Sequence, residues 1–421
     1  MSNKIRVLHL SGTTIGGAFS SAQRLHNALN GDNRFISKHL IFTGEINEDE
    51  FTKIWGRSFV KKIFAFALHA LDKLDFTRFE ASKKMRFRYS HAKVGMDISK
   101  HPWVKEADII HFHWIHKGFL SFTSLEALLK EKKKFFWTLH DLWAITGGCY
   151  YNWDCENYIN GCGNCYYLKN PNSNDLSVSV FQKKMDLWGK GNIKFIAPSK
   201  WIMNSALKSP IIEDPQGIQN IPYTIDSKFF KPLTTDNRKT IRQDYHFTDD
   251  DFVILFSAAI LTNPAKGFHL FLELAKLILG KTTSCVKFLI LGDPKGNEYN
   301  LDHSHFVGFV SDLDKIRESY QIADLYAITS TQDNFPNTIM ESLSCGTPVA
   351  GFKIGGVQEM IDDGENGFVD LPDNLNQLAS RIAEFIEIGD KISYSKNARQ
   401  KALSCFDAEV VVGKHFEYYQ K

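Results

Sequence analysis

The sequence predicts an α/β protein of two domains, each built on a parallel sheet. Three observations predict it. Short apolar runs at 5–11, 107–114, 133–141 and 193–199 alternate with stretches of helical periodicity, the βαβ pattern. The alternation resumes beyond a polar interval at 234–244, with runs at 252–260, 288–293, 305–310, 324–330 and 348–354. A chain of 421 residues is also long enough for two separate cores.

The first expected strand, 5–11, is followed by the glycine pair Gly16 and Gly17 and a helical pattern over 21–29. Glycines between strand and helix let backbone approach a phosphate or sugar closely. The spacing departs from G-x-G-x-x-G, which disfavours a nicotinamide dinucleotide. Residues 51–95 carry eleven Lys or Arg against three acids. Apolar positions from Phe59 to Leu74 recur at helical spacing, predicting a basic amphipathic helical pair suited to an anionic membrane surface.

Next, His140 ends the expected strand at 133–141, where ligands gather in parallel sheets. His111, His113 and His116 carry no assigned role. Cys149, Cys155, Cys162 and Cys165 share one loop, the last two as C-x-x-C. Four thiolates complete a tetrahedral set, so a structural zinc is expected, with a redox pair or plain packing as alternatives.

In the second half, Lys266 and Gly267 open a helix after the run at 252–260, presenting a point charge where a diphosphate can lie. Asp312 and Asp314 read as an acidic helix cap rather than a metal-binding D-x-D. The most informative stretch, Asp333–Glu341, lies between two strands. Pro336 suits the first turn of a helix that Gly346 and Pro348 stop. Backbone from Asn334 through Phe335, Pro336 and Asn337 to Thr338 then forms an anion site at a helix N-terminus. The flanking carboxylates, Asp333 and Glu341, can accept from sugar and ribose hydroxyls.

The pattern Asp333-x7-Glu341, followed by Ser-Cys-Gly-Thr-Pro-Val, resembles the signature of retaining GT-B glycosyltransferases of family 4, among them enzymes of bacterial, colanic-acid-type polysaccharide synthesis. The resemblance implies two Rossmann-like domains facing across a cleft. Residues 1–222 would serve the acceptor, with 405–421 crossing back, and 223–404 the nucleotide-sugar donor. It implies a hexosyltransferase, needing no catalytic metal, that moves sugar from a UDP or GDP donor to a glycan or lipid-linked hydroxyl. His140, Lys266 and Asp333 take the catalytic positions; Gly16, Gly17, Asn334, Phe335, Pro336, Asn337, Thr338 and Glu341 take donor-binding ones.

Two departures stand out. The first acid is Asp333 where the family has Glu, and Ala258, Ala259, Ile260 and Leu261 occupy the region of a usual phosphate-binding arginine. The alternatives are a sugar-nucleotide epimerase of the same fold and a non-catalytic nucleotide-sugar-binding partner.

Composition sets outer limits. Hydrophobic content of 43% with 23% charged residues is that of a globular protein, and a net charge of +2 disfavours bulk nucleic-acid binding. No apolar run reaches membrane-spanning length, and seven cysteines are too few for a secreted disulfide scaffold of this size, so a cytoplasmic protein is expected, with peripheral membrane contact through 51–95.

Overall fold

The computed structural model describes residues 4–421. Two compact units result: one runs to Pro222 and includes Val412–Lys421, the other is Tyr223–Val411. The C-terminal helix Ala408–Gln420 spans the second boundary.

Seven strands form the first sheet: β1 (Ile5–Thr13), β2 (Phe35–Thr43), β3 (Thr52–Ile54), β4 (Ile109–Phe112), β5 (Lys134–Thr138), β6 (Lys194–Ala197) and β7 (Ile218–Asn220). All pair parallel, in the order β3-β2-β1-β4-β5-β6-β7. This is a doubly wound, Rossmann-like sheet whose order reverses between β1 and β4. Sequence reading did not identify β2, β3 or β7. Lys38 and His39 interrupt the apolar run of β2, and the other two have three residues each.

The two faces of this sheet differ. Leu8, Leu10, Leu40, Phe42, Ile110 and Phe112 point into a large apolar core. At the intervening positions β2, β1 and β4 present His39, His9 and His111 in register, His9 pairing with both. All three are fully buried.

The second sheet comprises β8 (Phe252–Ile260), β9 (Val286–Asp293), β10 (Ser304–Gly308), β11 (Leu325–Ile328), β12 (Val349–Phe352) and β13 (Gly367–Asp370). The order is β10-β9-β8-β11-β12-β13, again all parallel. Phe252, Ile254 and Phe256 feed one core and Val253 and Leu255 another, so helices cover both faces, as near-continuous apolar strands require. The polar interval at 234–244 forms the helix Thr235–Asp244, inside the second unit. Buried Arg242 moors it, donating to the Ile322 carbonyl and to Asp324 at 2.6 Å.

The basic segment also differs from expectation. One helix forms, Phe59–Thr77, capped by the Ser58 hydroxyl; the expected second helix is a turn-rich stretch. That stretch is docked instead of helical: Ala81 N donates to Tyr167 O, and Glu80 and Tyr89 form bridges to Leu168 and Cys149. Among the described residues no helix is long and apolar enough to cross a membrane.

Candidate functional site

In an open parallel sheet, ligands bind beyond the carboxyl ends of the strands where the order reverses. In the second unit that point lies between β8 and β11. The loops leaving these strands are joined: Thr331 N donates to Ala265 O at 2.9 Å and Thr329 Oγ1 to Gly267 O at 2.8 Å. Glycine is required twice here. A Cβ on Gly267, whose φ is +63°, would sit 1.8 Å from Thr329 O, and one on Gly355, φ +46°, would sit 1.8 Å from Asp333 O. Close backbone contact on both sides therefore fixes the loop that carries Asp333. From the β8 side, Lys266 Nζ reaches Asp333 Oδ2 at 2.6 Å.

The helix that follows is Asn337–Ser344. Pro336 occupies the position just before it rather than the first turn, a shift of one residue that leaves the amides of the turn at the same strand end. Amides of a first turn have no acceptor within their own helix, and the dipole adds positive potential there. Asn334 and Phe335 are buried, the Phe335 ring packing edge-on against Tyr223 and Phe406. Glu341 is also buried, 8% exposed, and accepts from the hydroxyl of fully buried Tyr320 at 3.0 Å. Burial and the adjacent carboxylate hold the Tyr320 hydroxyl well above its ordinary pKa, so it remains a donor. Asp312 caps its helix through Asp314 N at 2.9 Å, as expected.

In the first unit the order reverses between β1 and β4. Gly16, with φ +98°, precedes the helix Gly17–Asn30, and Gly12 N donates to Trp114 O at 2.6 Å, tying the end of β1 to the loop after β4. His140 follows β5 and belongs to a chain of imidazoles: its Nε2 lies 2.9 Å from His113 Nδ1, and His113 Nε2 lies 2.8 Å from His9 Nδ1. Burial pushes His140 down to about 3, so it acts as neutral imidazole near neutral pH. His111 is held between Tyr419 Oη and Thr138 Oγ1, both at 2.7 Å.

Among the described residues, His9, His111 and His113 are the set whose ligand atoms lie within 4.8 Å of one another. Both nitrogens of His111 and of His113 are already hydrogen-bonded, which leaves His9 Nε2, buried and without a partner, as the set's one open ring nitrogen and argues against a three-ligand metal centre. The four cysteines are unbridged and line one small cavity. Burial pushes the thiol of Cys149 up to about 11 and those of Cys162 and Cys165 up to about 12.

The structure thus gathers Lys266, Asp333, the 334–338 backbone and Glu341 at one sheet edge, and places Gly16, Gly17 and His140 at strand ends of the other sheet. Sequence reading missed Tyr320 and His113. A histidine one residue from the end of an apolar run was the available signal for His113; Tyr320 carried none.

The family described as glycosyl transferases group 1 matches residues 237–402, within the second unit. Curated relatives include the putative glycosyltransferase EpsD of Bacillus subtilis (strain 168), 24% identical over 42% of this chain and 43% of that one. Another is the putative colanic acid biosynthesis glycosyl transferase WcaC of Escherichia coli (strain K12), 23% identical over 60% of this chain and 62% of that one. The chain therefore spans about half the length of the curated relatives it matches. The crystal structure of Anabaena HepE in complex with UDP superposes with a TM-score of 0.64 at 16% identity, covering 99% of this chain and 100% of that one. Together with the two Rossmann-like units, this likeness establishes the GT-B fold.

Proposed function

From a second unit matched by group 1 glycosyl transferases, we propose that the protein moves a sugar from a nucleotide diphosphate, UDP or GDP, to a hydroxyl of a glycan or lipid-linked acceptor, with the anomeric configuration retained. The observation that carries this reading is the Lys266–Asp333 pair at the point of strand-order reversal, with Asp333 four residues before the helix Asn337–Ser344. The UDP bound by HepE supports a uridine donor.

In the step, the bond between the anomeric carbon and the diphosphate oxygen breaks, and the acceptor oxygen bonds to the same face of that carbon. The acceptor proton passes to the departing diphosphate. Negative charge therefore grows on the diphosphate, and preorganised donors stabilise it most effectively. Lys266 and the amides near 335–338 are assigned that role, which gives the leaving group a protein cation in place of a catalytic metal. Asp333 orients sugar hydroxyls, and Glu341 accepts from the ribose.

The helix Phe59–Thr77 supports a membrane-linked acceptor at the cytoplasmic face. Phe59, Val60 and Phe66 are 78%, 74% and 72% exposed, and Lys61, Lys62 and Lys73 share the helix with them. Exposed apolar side chains among cations fit an anionic leaflet, where apolar burial and charge attraction add.

Melting temperatures measured with UDP, GDP, ADP and their sugars test the donor site. UDP or GDP should raise the temperature in proportion to the logarithm of concentration over Kd. No shift with any of them at millimolar concentration overturns the reading.

A further inference from the structure

Four cysteines of one loop face one cavity. Cys149, Cys155, Cys162 and Cys165 line a space with room for about one water-sized guest. The backbone around it is unusual: Gly161, Cys162, Gly163 and Asn164 have φ of 89°, 71°, 98° and 51°, four left-handed residues in succession. That region costs a non-glycine residue about 1–2 kcal/mol. Three bonds hold the turn in place: Gly147 N to Cys162 Sγ at 3.1 Å, Gly163 N to Ser177 Oγ at 3.0 Å, and Cys165 N to Asp175 Oδ2 at 2.8 Å. An amide aimed at sulfur is a contact that strengthens when the sulfur is a thiolate.

A separate observation concerns charge. Lys184 is fully buried, with its Nζ donating to the Trp143 and Thr146 carbonyls and lying 3.6 Å from the Trp143 ring centroid. These bonded partners are all neutral. Burial pushes Lys184 down to about 7, against the opposing pull of Cys149, Cys162 and Asp141. A buried ammonium needs a counter-charge.

We propose that the four cysteines bind one zinc ion as a closed structural site, its doubly negative tetrathiolate cluster supplying that counter-charge to Lys184. Each Zn–S bond replaces an S–H bond, the protons leave to solvent, and no electron is transferred. Four sulfurs complete the tetrahedron, so the ion takes no part in glycosyl transfer. No three of the sulfurs lie within 4.8 Å of one another among the described residues. Tyr89, which pairs with Cys149 and donates to Gly147 O at 2.6 Å, joins the loop to the basic stretch before it. The inference does not depend on the transferase reading.

Elemental analysis of reduced protein, supplied with zinc and dialysed, tests it. About one zinc per chain is expected. Cys162→Ser should lose the ion, whereas Cys285→Ser, at an exposed thiol of the other unit, should keep it. Should Cys162→Ser not fold, cobalt loading of the unaltered chain decides: a tetrahedral thiolate site gives intense visible bands. Less than about half an equivalent of zinc, a weak octahedral cobalt spectrum, or a Cys162–Cys165 disulfide in the isolated protein would each overturn the proposal.

Discussion

Lys266 Nζ lies 2.6 Å from Asp333 Oδ2, so one ion pair joins the loops after β8 and β11, 67 residues apart in sequence. Lys266 is 38% exposed, and at that exposure such a pair contributes at most about 1 kcal/mol to folding. Its consequence is orientation. The loop bearing Asp333 is fixed by close backbone contacts, and the lysine is held at the same sheet edge, where a diphosphate would compete for its charge.

Replacing Lys266 with Ala should lower kcat by about 100- to 1,000-fold, the range for loss of one preorganised donor. Stability should hardly change. Steady-state kinetics with varied donor read the difference. A rise in donor KM with kcat intact would mean the lysine binds ground state and transition state equally.

Glu341→Ala should weaken nucleotide affinity about 10- to 100-fold, corresponding to roughly 1.5–3 kcal/mol for hydrogen bonds to a charged group. Tyr320→Phe should produce a smaller loss, because it removes the hydroxyl that holds the carboxylate and leaves the carboxylate itself. Calorimetric titration of UDP and GDP into the three proteins gives the order. Equal constants for Glu341→Ala and the unaltered chain would remove the ribose assignment.

What was legible in the sequence is what neighbouring residues encode. The apolar runs of β8, β9, β11 and β12 appeared within a few residues of their observed ends, because a strand buried on both faces is a continuous apolar run. The Asp333–Glu341 loop was legible because proline, glycine and two acids mark it locally. The histidine layer was not: His9, His39 and His111 belong to three strands, and their register exists after the sheet has paired. The same holds for Tyr320 on Glu341 and Lys266 on Asp333, contacts across 21 and 67 positions. The basic stretch misled the helix count because bridges to Leu168 and Cys149, far along the chain, hold residues after Thr77 out of helix.

The histidine layer should make the protein acid-labile. His26 is pushed down to about 4, and His140 and His415 to about 3, mainly by burial; His9, His39, His111, His113 and His116 are also held well below 6.5. Below pH 6.5 the unfolded chain binds protons that the folded chain refuses, so stability falls with pH through the interval from 6.5 to about 4. Each such group contributes a slope of up to about 1.4 kcal/mol per pH unit. Asp72 and Asp141, raised to about 6 and about 7 mainly by burial, act in the opposite sense above 3.8. Eight histidines against two aspartates should exhaust a typical stability of roughly 5–15 kcal/mol near pH 5. Thermal melts at falling pH check this, and a melting temperature unchanged between pH 7.5 and 5 would show that the layer protonates without unfolding.

The helix Phe59–Thr77 should dock on anionic vesicles. Asp75 and Glu80 are occupied by Arg78, Lys93 and Arg86, which leaves little acidic charge to oppose a negative surface. Each cation near such a surface contributes roughly 1 kcal/mol at low salt. Phe59 and Phe66 are 78% and 72% exposed, so Phe59→Ser with Phe66→Ser should leave folding intact while removing apolar area that a bilayer would bury. Sedimentation with phosphatidylglycerol vesicles should fall several-fold in that variant, and should fall in the unaltered chain as salt rises and Debye screening shortens. Equal sedimentation of both proteins would assign binding to charge elsewhere on the surface. Sedimentation of neither would detach this helix from the membrane and leave a soluble glycan as the favoured acceptor.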